Sequence, residues 1–576
     1  MRRLLLATAA VALLASVPAL AALTWQADRT DPVRNVGLPC ESLATPGLVA
    51  RTNKDVFHVA NVCGLVGTDV ELQSRQDLAG RTHDFAFVGT MGGGFRIFDV
   101  TEPTRPTPAG GYLDSGWQND VQVAGDLVVS TFDGVSGEDS SASTCLKTRY
   151  PDADGQGVDV YRLNFNPATA RFETNLLTCV ANPPGGAHNS TIHPGADWLA
   201  ISDCCSDWAI DVIDLRGVLS GQEPVHRFRL IDESRATATG RCPAGASFAC
   251  VVMKRPDGTS AAGLWQPHDV HFSRDGRTMY VAAINSTFIV DVARVLSGSV
   301  RTTAVIPNAT QPGGADNSHN IAISHQADVT PDGKILVITD EQGGGTSNVA
   351  CNQDATGVMG GMHFWALAPI KGVDASKGAS PASPKRLGAY FNPNPTRLPD
   401  PLAGVIGSLP RVERGCTVHV FRIGGNGSSS PGAASAGLDG VSSLSSRQLV
   451  TAWYGGGVWR VDFSGPPSDG DGIAEDARTT WGNTKGWSVM PGADTWSAKE
   501  YKGYIYASDM VRGLDVYSFT NCRDAECVLR PTNTPGTVNG GGKLEQDFAT
   551  FTIVRGSAPG GEAQFGLDVR YALGAA

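Results

Sequence analysis

A three-part pattern recurs along the chain and constrains its fold more than any other feature. Each copy has a short apolar strand, a tight turn, a second apolar strand, and a third strand that ends in Asp-Val or a similar pair. The clearest copy reads HDVHF, MYVAA and FIVDV within 268–292. Another reads HNSTI, DWLAISD and AIDVIDL within 188–215. Short β-branched and aromatic runs, separated by turns such as RDG at 274–276 and PDG at 331–333, predict antiparallel strands.

Seven copies of this pattern can be traced, with insertions rich in Gly, Ser and Pro between them. Their predicted first strands lie at 68–72, 119–123, 188–192, 268–272, 319–323, 416–420 and 495–499. No helical pattern alternates with the strands, which disfavours a parallel βαβ fold. Closing many short sheets into a ring protects their edges. We therefore predict an all-β fold, a seven-bladed β-propeller with long loop insertions over 22–527, and a C-terminal β extension or closing strand over 528–576.

The N-terminus indicates export. Arg2 and Arg3 precede an apolar run, and Ala19-Leu20-Ala21 is a small-x-small cleavage site, so residues 1–21 are predicted to be a signal peptide. The apolar run is too short to predict a membrane span. We expect a monomeric protein that is secreted or periplasmic.

The cysteine content fits an exported protein. The chain has 12 cysteines, an even number, which favours structural disulfides. Two short-loop pairs are predicted, Cys242–Cys250 and Cys522–Cys527. Cys204 and Cys205 are adjacent, and they either pair with distant cysteines or form a vicinal disulfide.

The charge of the chain excludes one class of partner. The formal net charge is −11, and lysine and arginine form no cluster. Nucleic acid is therefore not expected as a partner. A protein, a glycan or a small molecule is the expected kind of ligand.

The first copy carries a family resemblance. The segment GFRIFDVTEPTRPTPAGGY at 94–112 resembles the LVIVD-repeat signature, in which an apolar strand ending in Asp precedes a Pro-flanked turn. Only this copy has the full extension, with Pro103 and Pro106. The resemblance implies a propeller and says little about activity. More distantly, the first strands that bear histidine resemble those of lactonase-type and selenium-binding-type propellers.

Histidines at the start of the first strands predict a candidate metal site. In a propeller the first strands line the central channel, so the residues that begin them converge near the axis. These residues are Thr68, Asn119, His188, His268, His319, Cys416 and Thr495. Three imidazoles from neighbouring blades could hold zinc, iron or copper, with His325 as a deeper ligand of the same strand parity as His319. In the alternative interpretation, each imidazole bonds a neighbouring group and closes the channel.

Other candidate groups belong to the same predicted face. Asp203 and Asp340 end second strands and are candidate catalytic bases, although such acids more often bond backbone amides in turns. His419 aligns with His271, which favours a structural hydrogen bond for both. The loop that begins at Asp152 resembles the start of an EF-hand, but its twelfth residue is Leu163, so a calcium site there is only weakly indicated.

The sequence alone favours the first of two functions and keeps the second as the alternative. The first is an exported binding or interaction protein that holds its ligand on the loop-rich face. The second is a metal-dependent oxidase or lactone-type hydrolase with a histidine-rich site in the channel. Neither a G-x-S-x-G nor an H-E-x-x-H motif occurs, and a propeller fold accommodates both functions, so the sequence does not decide whether the protein is an enzyme.

Overall fold

The computed structural model describes residues 52–519 with internal gaps, together with 552–557 and 563–568. The gaps are 92–93, 115–117, 134–142, 151–156, 182–186, 204–207, 235–247, 309–320, 342–359, 394–416, 426–441, 469–474 and 476–477. Several predicted features lie outside the described residues: the signal peptide at 1–21, the Asp152 loop, Cys204, Cys205, His319 and the pair Cys522–Cys527.

The strands described within residues 52–519 belong to seven mainly antiparallel sheets, which we call blades 1 to 7. Two N-terminal strands, β1 (Thr52–Lys54) and β2 (Phe57–Val62), precede blade 1. Blade 1 contains β3 (Gly67–Gln76), β4 (Thr82–Thr90), β5 (Phe95–Asp99) and β6 (Thr107–Tyr112). Blade 2 contains β7 (Val121–Ala124), β8 (Leu127–Phe132), β9 (Gly157–Asn166) and β10 (Arg171–Ala181). Blade 3 contains β11 (Asn189–Ile192), β12 (Trp198–Asp203), β13 (Ala209–Asp214), β14 (Val225–Ile231) and a parallel edge strand, β15 (Ala249–Val252).

The remaining blades follow the same order. Blade 4 contains β16 (Asp269–Phe272), β17 (Thr278–Ala283), β18 (Ser286–Arg294) and β19 (Ser299–Pro307). Blade 5 contains β20 (Ser324–Val329), β21 (Ile335–Asp340), β22 (Met362–Ala366) and β23 (Lys385–Tyr390). Blade 6 contains β24 (Phe421–Ile423), β25 (Gln448–Ala452), β26 (Val458–Asp462) and β27 (Asn483–Val489). Blade 7 contains β28 (Thr495–Tyr501), β29 (Tyr504–Asp509) and β30 (Gly513–Ser518), with β2 as its fourth strand.

The seven sheets form a ring. The first strands of neighbouring blades contact one another in cyclic order, from blade 1 to blade 7 and back to blade 1. In the described part of the chain, a separate apolar cluster lies between each neighbouring pair of blades. Between blades 3 and 4, for example, Trp198 and Ile210 share a cluster with Met279 and Phe288. The seven-bladed β-propeller predicted from the sequence is thus confirmed, and its core lies between the blades.

Glycine-containing turns join the first and second strands of blades 4 and 5. Gly276 and Gly333 adopt φ angles of +68° and +69°, in the left-handed region that glycine tolerates without strain. The predicted first strands overlap the observed ones in blades 1, 2, 3, 4 and 7. In blades 5 and 6 the prediction is wrong, because the first strands are Ser324–Val329 and Phe421–Ile423 rather than 319–323 and 416–420.

The N-terminal strands complete the last two blades. β2 pairs with β30 in blade 7, and β1 pairs with β27 in blade 6. Buried Asp515 of β30 accepts hydrogen bonds from His58 Nε2 at 2.7 Å and from Asn61 Nδ2 at 2.8 Å, which fixes β2 in place. Residues 520–576 form a second unit, in which β31 (Thr552–Ser557) and β32 (Ala563–Asp568) pair with each other. The predicted domain boundaries stay predictions.

A disulfide joins Cys145 and Cys179 and ties the short helix α1 (Thr144–Arg149) to β10. Cys250 is also disulfide-bonded, while its predicted partner Cys242 lies outside the described residues.

Within the described ranges, no helix has the length and apolar character that crossing a membrane requires.

Removing β2 should weaken the whole ring. We expect a chain that begins at residue 64 to melt at least about 5 °C lower than the full chain, because blade 7 loses its fourth strand, blade 6 loses β1, and both expose an unpaired edge. A chain that begins at residue 52 keeps both N-terminal strands and is the control. Equal melting temperatures for the two truncated chains, measured by circular dichroism, would show that β2 does not stabilise the ring.

A buried ion pair in blade 3 should make stability depend on pH. Asp211 is fully buried, and its carboxylate bonds Arg229 Nε at 2.9 Å and His226 Nε2 at 2.7 Å. Burial alone would raise the pKa of Asp211, but Arg229 and His226 outweigh it and lower the pKa to about 2. Because this folded-state value lies below the unfolded value of about 3.9, the carboxylate stabilises the fold above about pH 4 and loses that effect as pH falls towards about 2.

We therefore expect Arg229→Met to cost about 3–5 kcal/mol near pH 7, since it leaves a buried carboxylate without its main partner. The cost should shrink below about pH 4, where the carboxylate takes up a proton. Arg227→Met is the control, because Arg227 is half-exposed and its pair with Asp214 is worth at most about 1 kcal/mol. Urea unfolding at both pH values checks this, and a cost that is the same at both would contradict it.

Candidate metal centre

Four histidines occupy equivalent positions in four consecutive blades. The backbone N–H of three of them bonds a carbonyl near the end of the second strand of its own blade: His188 to Ser202, His268 to Ala282 and His419 to Ala452. His325 lies in β20 at a bulge opposite Thr339, which places it at the same level in blade 5. The first strands therefore bring one imidazole from each of blades 3, 4, 5 and 6 to the channel.

The four rings lie against one another in blade order. Ring centroids are 4.3 Å apart for His188 and His268, 4.3 Å for His268 and His325, and 4.2 Å for His325 and His419. All four side chains are largely buried. We call these four histidines the imidazole tier.

Three of the rings are oriented by a hydrogen bond at Nδ1. The Nδ1 atoms lie close to acceptor oxygens: His188 to Asp133 Oδ2 at 2.7 Å, His268 to the His325 carbonyl at 3.2 Å, and His419 to the Trp496 carbonyl at 2.5 Å. Carboxylates and carbonyls only accept, so each Nδ1 carries the proton and each neutral ring keeps its lone pair on Nε2. Histidines that bind metals are oriented in this way, through a hydrogen bond from the nitrogen that does not bind the ion.

Two of these lone pairs point at each other. His188 Nε2 and His268 Nε2 are 2.8 Å apart. With both Nδ1 atoms protonated, this short distance requires a proton or a cation between the rings. Two nitrogens bound to one ion at about 2.1 Å would be about 2.9 to 3.4 Å apart, so a small opening of the pair would admit a metal.

Glu341 supplies a carboxylate to the same cluster. It follows β21, and its Oε2 and Oε1 lie 3.5 Å from His325 Nε2 and 3.6 Å from His419 Nε2. The Tyr454 hydroxyl donates to Glu341 Oε1 at 2.5 Å and fixes the carboxylate. His268, His325 and Glu341 each offer a ligand atom within 4.8 Å of the others. Tyr454 has φ of +41°, an unusual backbone angle for a residue other than glycine, at the edge of this cluster.

The electrostatics of the tier favour a neutral imidazole at three of its four histidines. Burial, together with neighbouring histidines, lowers the pKa values of His268 and His325 well below the usual value. Burial also lowers the pKa of His419, to about 3. At His188 burial acts in the same direction, but Asp133 outweighs it and the pKa is raised. Burial raises the pKa of Glu341 to about 7, although Tyr454 and His188 oppose the rise.

The structure brings three of the four predicted metal ligands together, His188, His268 and His325. His319 lies outside the described residues. His325, expected deeper in the channel, stands at the level of His268, because β20 begins at Ser324. The ligand role of all four stays a prediction.

Sequence reasoning placed Glu341 near the histidines without assigning it as a ligand, and it misplaced His419. His419 was aligned with His271, but its backbone bond to Ala452 makes it equivalent to His268. His271 instead lies further along the channel, where Nε2 is 3.2 Å from Asp269 Oδ2. In blade 7 the equivalent residue is Trp496, at a bulge one residue after the predicted Thr495.

The two candidate bases are buried at the ends of second strands. Asp340 accepts hydrogen bonds from the backbone amides of Ala322, Ile323 and Gly360, so it holds the backbone around the tier. Asp203 ends β12 opposite Ala209. A catalytic role for either acid stays a prediction. Asp133, by contrast, contacts the imidazole tier directly through His188.

A polar cavity adjoins the tier. It has a volume of about 50 Å³, and its lining includes His188, His325, His419, Asn119 and Val420.

A cluster of ion pairs lines the cavity further along the channel. Lys499 Nζ bonds Glu71 at 2.6 Å and Asp69 at 2.9 Å, and Arg422 bonds Glu71 at 2.8 Å. These buried charges therefore already have partners of opposite sign.

Comparison with known proteins identifies no family for the chain. No family model and no curated protein matches the chain. Similar solved structures include the β-propeller domain of Cps50 (Swd1) from Myceliophteria thermophila, at 10% identity, with 80% of this chain and 99% of that chain covered and a TM-score of 0.39. Sqt1 from Chaetomium thermophilum matches at 14% identity, with 80% and 98% covered and a TM-score of 0.37. A putative 6-phosphogluconolactonase from Bacteroides uniformis matches at 12% identity, with 73% and 85% covered and a TM-score of 0.36.

These similarities are too low to transfer an activity to this chain. The propeller fold rests on the sheets and their ring, and the resemblance to the LVIVD-repeat family stays a prediction.

Proposed function

We propose that this protein is a metalloenzyme that holds one divalent transition metal ion at the imidazole tier. The observation that carries the proposal is the 2.8 Å approach of His188 Nε2 to His268 Nε2, with both Nδ1 atoms committed to acceptors. A shared proton or a metal ion accounts for this approach, and we propose the metal ion because His325 and Glu341 bring further ligand atoms close to His268.

The donor set indicates which ion fits. Imidazole nitrogens with one carboxylate suit zinc, iron and copper, whereas calcium and magnesium prefer oxygen ligands. The residues that would hold the ion are His268, His325 and Glu341, whose ligand atoms lie within 4.8 Å of one another, with His188 facing His268 at Nε2. We keep zinc, iron or copper as the expected cofactor.

Enzymatic activity is supported by the cavity beside the tier. A structural metal site is closed on all sides by protein ligands, while a catalytic one keeps a position for water or substrate. Here the cavity lining includes three of the four imidazoles. Bound at this position, a metal would activate a water molecule or exchange electrons with a substrate, which are the hydrolase and oxidase chemistries.

The binding scaffold is the second candidate function. It accounts for the long insertions and the acidic net charge, and in it the imidazoles close the channel through hydrogen bonds with their neighbours. We propose an exported location for the metalloenzyme, supported by the basic and apolar N-terminus and by the Cys145–Cys179 disulfide.

Metal content tests the proposal. Protein purified without an affinity tag, and reconstituted with zinc, iron(II) or copper(II), should hold about one metal ion per chain by elemental analysis. His268→Ala should hold less than about a tenth of that, since it removes one of the facing nitrogens. The control is His193→Ala, because His193 bonds Asp197 and the Gly276 carbonyl outside the tier. A protein that takes up no metal, with His268→Ala as stable as the parent, would instead favour the binding scaffold.

Asp133 should act as a positioning residue for His188. Asp133→Asn removes the negative charge that holds the His188 Nδ1 proton, so we expect metal affinity to fall about 10- to 100-fold in a chelator competition assay. Asp197→Asn is the matched control, because Asp197 bonds His193 Nδ1 at the same distance of 2.7 Å but lies away from the tier. Equal affinities in the two variants would remove Asp133 from the site.

A further inference from the structure

The disulfide of blade 2 lies beside a buried carboxyl group. Cys179 of β10 and Asp159 of β9 are directly opposite each other, so their side chains leave the same face of the sheet. The disulfide brings Cys145 of α1 to the same point. The two sulfur atoms and a carboxylate oxygen of Asp159 all lie within 4.8 Å of one another. Strand register and the covalent bond therefore place an acid against both sulfurs.

Asp159 is buried without a positive partner. Within the described residues its oxygens bond only hydroxyl groups, those of Ser143 at 2.9 Å and Tyr161 at 3.0 Å. Burial raises the pKa of Asp159 to about 7, although these two hydroxyl groups oppose the rise. A carboxyl group with this pKa takes up and releases a proton near neutral pH.

The groups around the acid do not neutralise it. The titratable ones are Tyr112, Asp114, Tyr150 and Tyr161, none of which carries a positive charge. Asp114 bonds Thr144 Oγ1 at 3.0 Å and raises the pKa of Asp159 further. On α1, Lys147 is exposed, and Arg149 pairs with Glu223 at 3.0 Å. The proton of Asp159 is thus not displaced by an ion pair.

The two cysteines differ in burial. Cys179 is 1% exposed, whereas Cys145 is half-buried in the first turn of α1. An incoming thiolate therefore reaches Cys145 more readily, and its attack expels Cys179. Burial disfavours the thiolate of Cys179 and makes it a poor leaving group unless it gains a proton. Asp159 lies where it can supply that proton.

We propose that the Cys145–Cys179 disulfide is a redox site that accepts two electrons from a dithiol, with Asp159 as the acid that protonates Cys179. A thiolate of the dithiol attacks Cys145 Sγ, the S–S bond breaks, and Cys179 takes the proton of Asp159. The second thiol of the dithiol then displaces Cys145 from the mixed disulfide and closes the oxidised dithiol. Overall the two protons of the dithiol end on the two cysteine thiols, and solvent returns one to Asp159. This site is independent of the metal centre.

Reduction of the native full chain by dithiothreitol tests the proposal. The freed thiols are trapped by alkylation, and mass spectrometry follows Cys145 and Cys179. Divided by the dithiothreitol thiolate concentration, the rate constant should fall about tenfold between about pH 6 and about pH 8.5, because Asp159 loses its proton near pH 7. It should be unchanged by about 1 M urea, since the exchange takes place in the folded protein. A disulfide that is reduced only after unfolding would react faster in urea, which would overturn the proposal.

Asp159→Asn should slow the reduction at least about tenfold near pH 6 and remove the pH dependence of the normalised rate constant. Asp114→Asn is the matched control, because Asp114 bonds Thr144 and is not one of the groups that meet at the sulfurs. Its normalised rate constant should still fall as pH rises. The same pH dependence in Asp159→Asn as in the parent would exclude Asp159 as the acid.

Tyr161→Phe decides if Asp159→Asn does not fold. The Tyr161 hydroxyl lowers the pKa of Asp159, so its removal should move the midpoint of the pH profile to higher pH. A midpoint that stays in place would argue against Asp159.

Glutathione, a monothiol, identifies the sulfur that is attacked. After brief exposure and trapping with N-ethylmaleimide, peptide mapping should find glutathione on Cys145 and maleimide on Cys179. The opposite distribution would overturn the direction of attack, and with it the need for an acid at Cys179.

Discussion

Face-to-face packing of neighbouring blades is the constraint on which the rest of the structure depends. A single twisted four-stranded sheet cannot bury both of its faces, but each blade here shares an apolar cluster with the blade on either side. Closing the ring gives every described blade two such neighbours, and β2 completes the sheet at the point of closure. The same closure determines what lies at the centre, because seven first strands must meet around one axis.

At that axis the first strands carry polar side chains rather than apolar ones, and buried polar groups destabilise a fold unless they are paired. Most of them are paired. Lys499 and Arg422 have carboxylate partners, and Asp133 orients His188. His188 Nε2 and His268 Nε2 also lie at this axis, where a shared proton or a cation joins the two rings.

Much of the fold and part of the candidate site could be predicted from the sequence. The position of His325 was also accessible, since it lies eight residues before Gly333, as His268 lies eight before Gly276. The turn glycines therefore indicate where the first strand of blade 5 lies. The apolar pattern alone placed that strand several residues too early. For blade 6 no such reference exists within the described residues, because the insertion at 426–441 interrupts the first hairpin, and His419 was misaligned as a result.

By itself the sequence determined the class of fold and the number of blades, since strand periodicity, turn residues and repeats are local properties of the chain. Only the tertiary structure decided which groups meet at the axis. Asp133, Glu341 and Tyr454 come from three different blades, and no spacing along the chain relates them to the imidazoles. Their contacts depend on how the ring closes and on where each first strand bulges, and both follow from packing between residues distant in sequence.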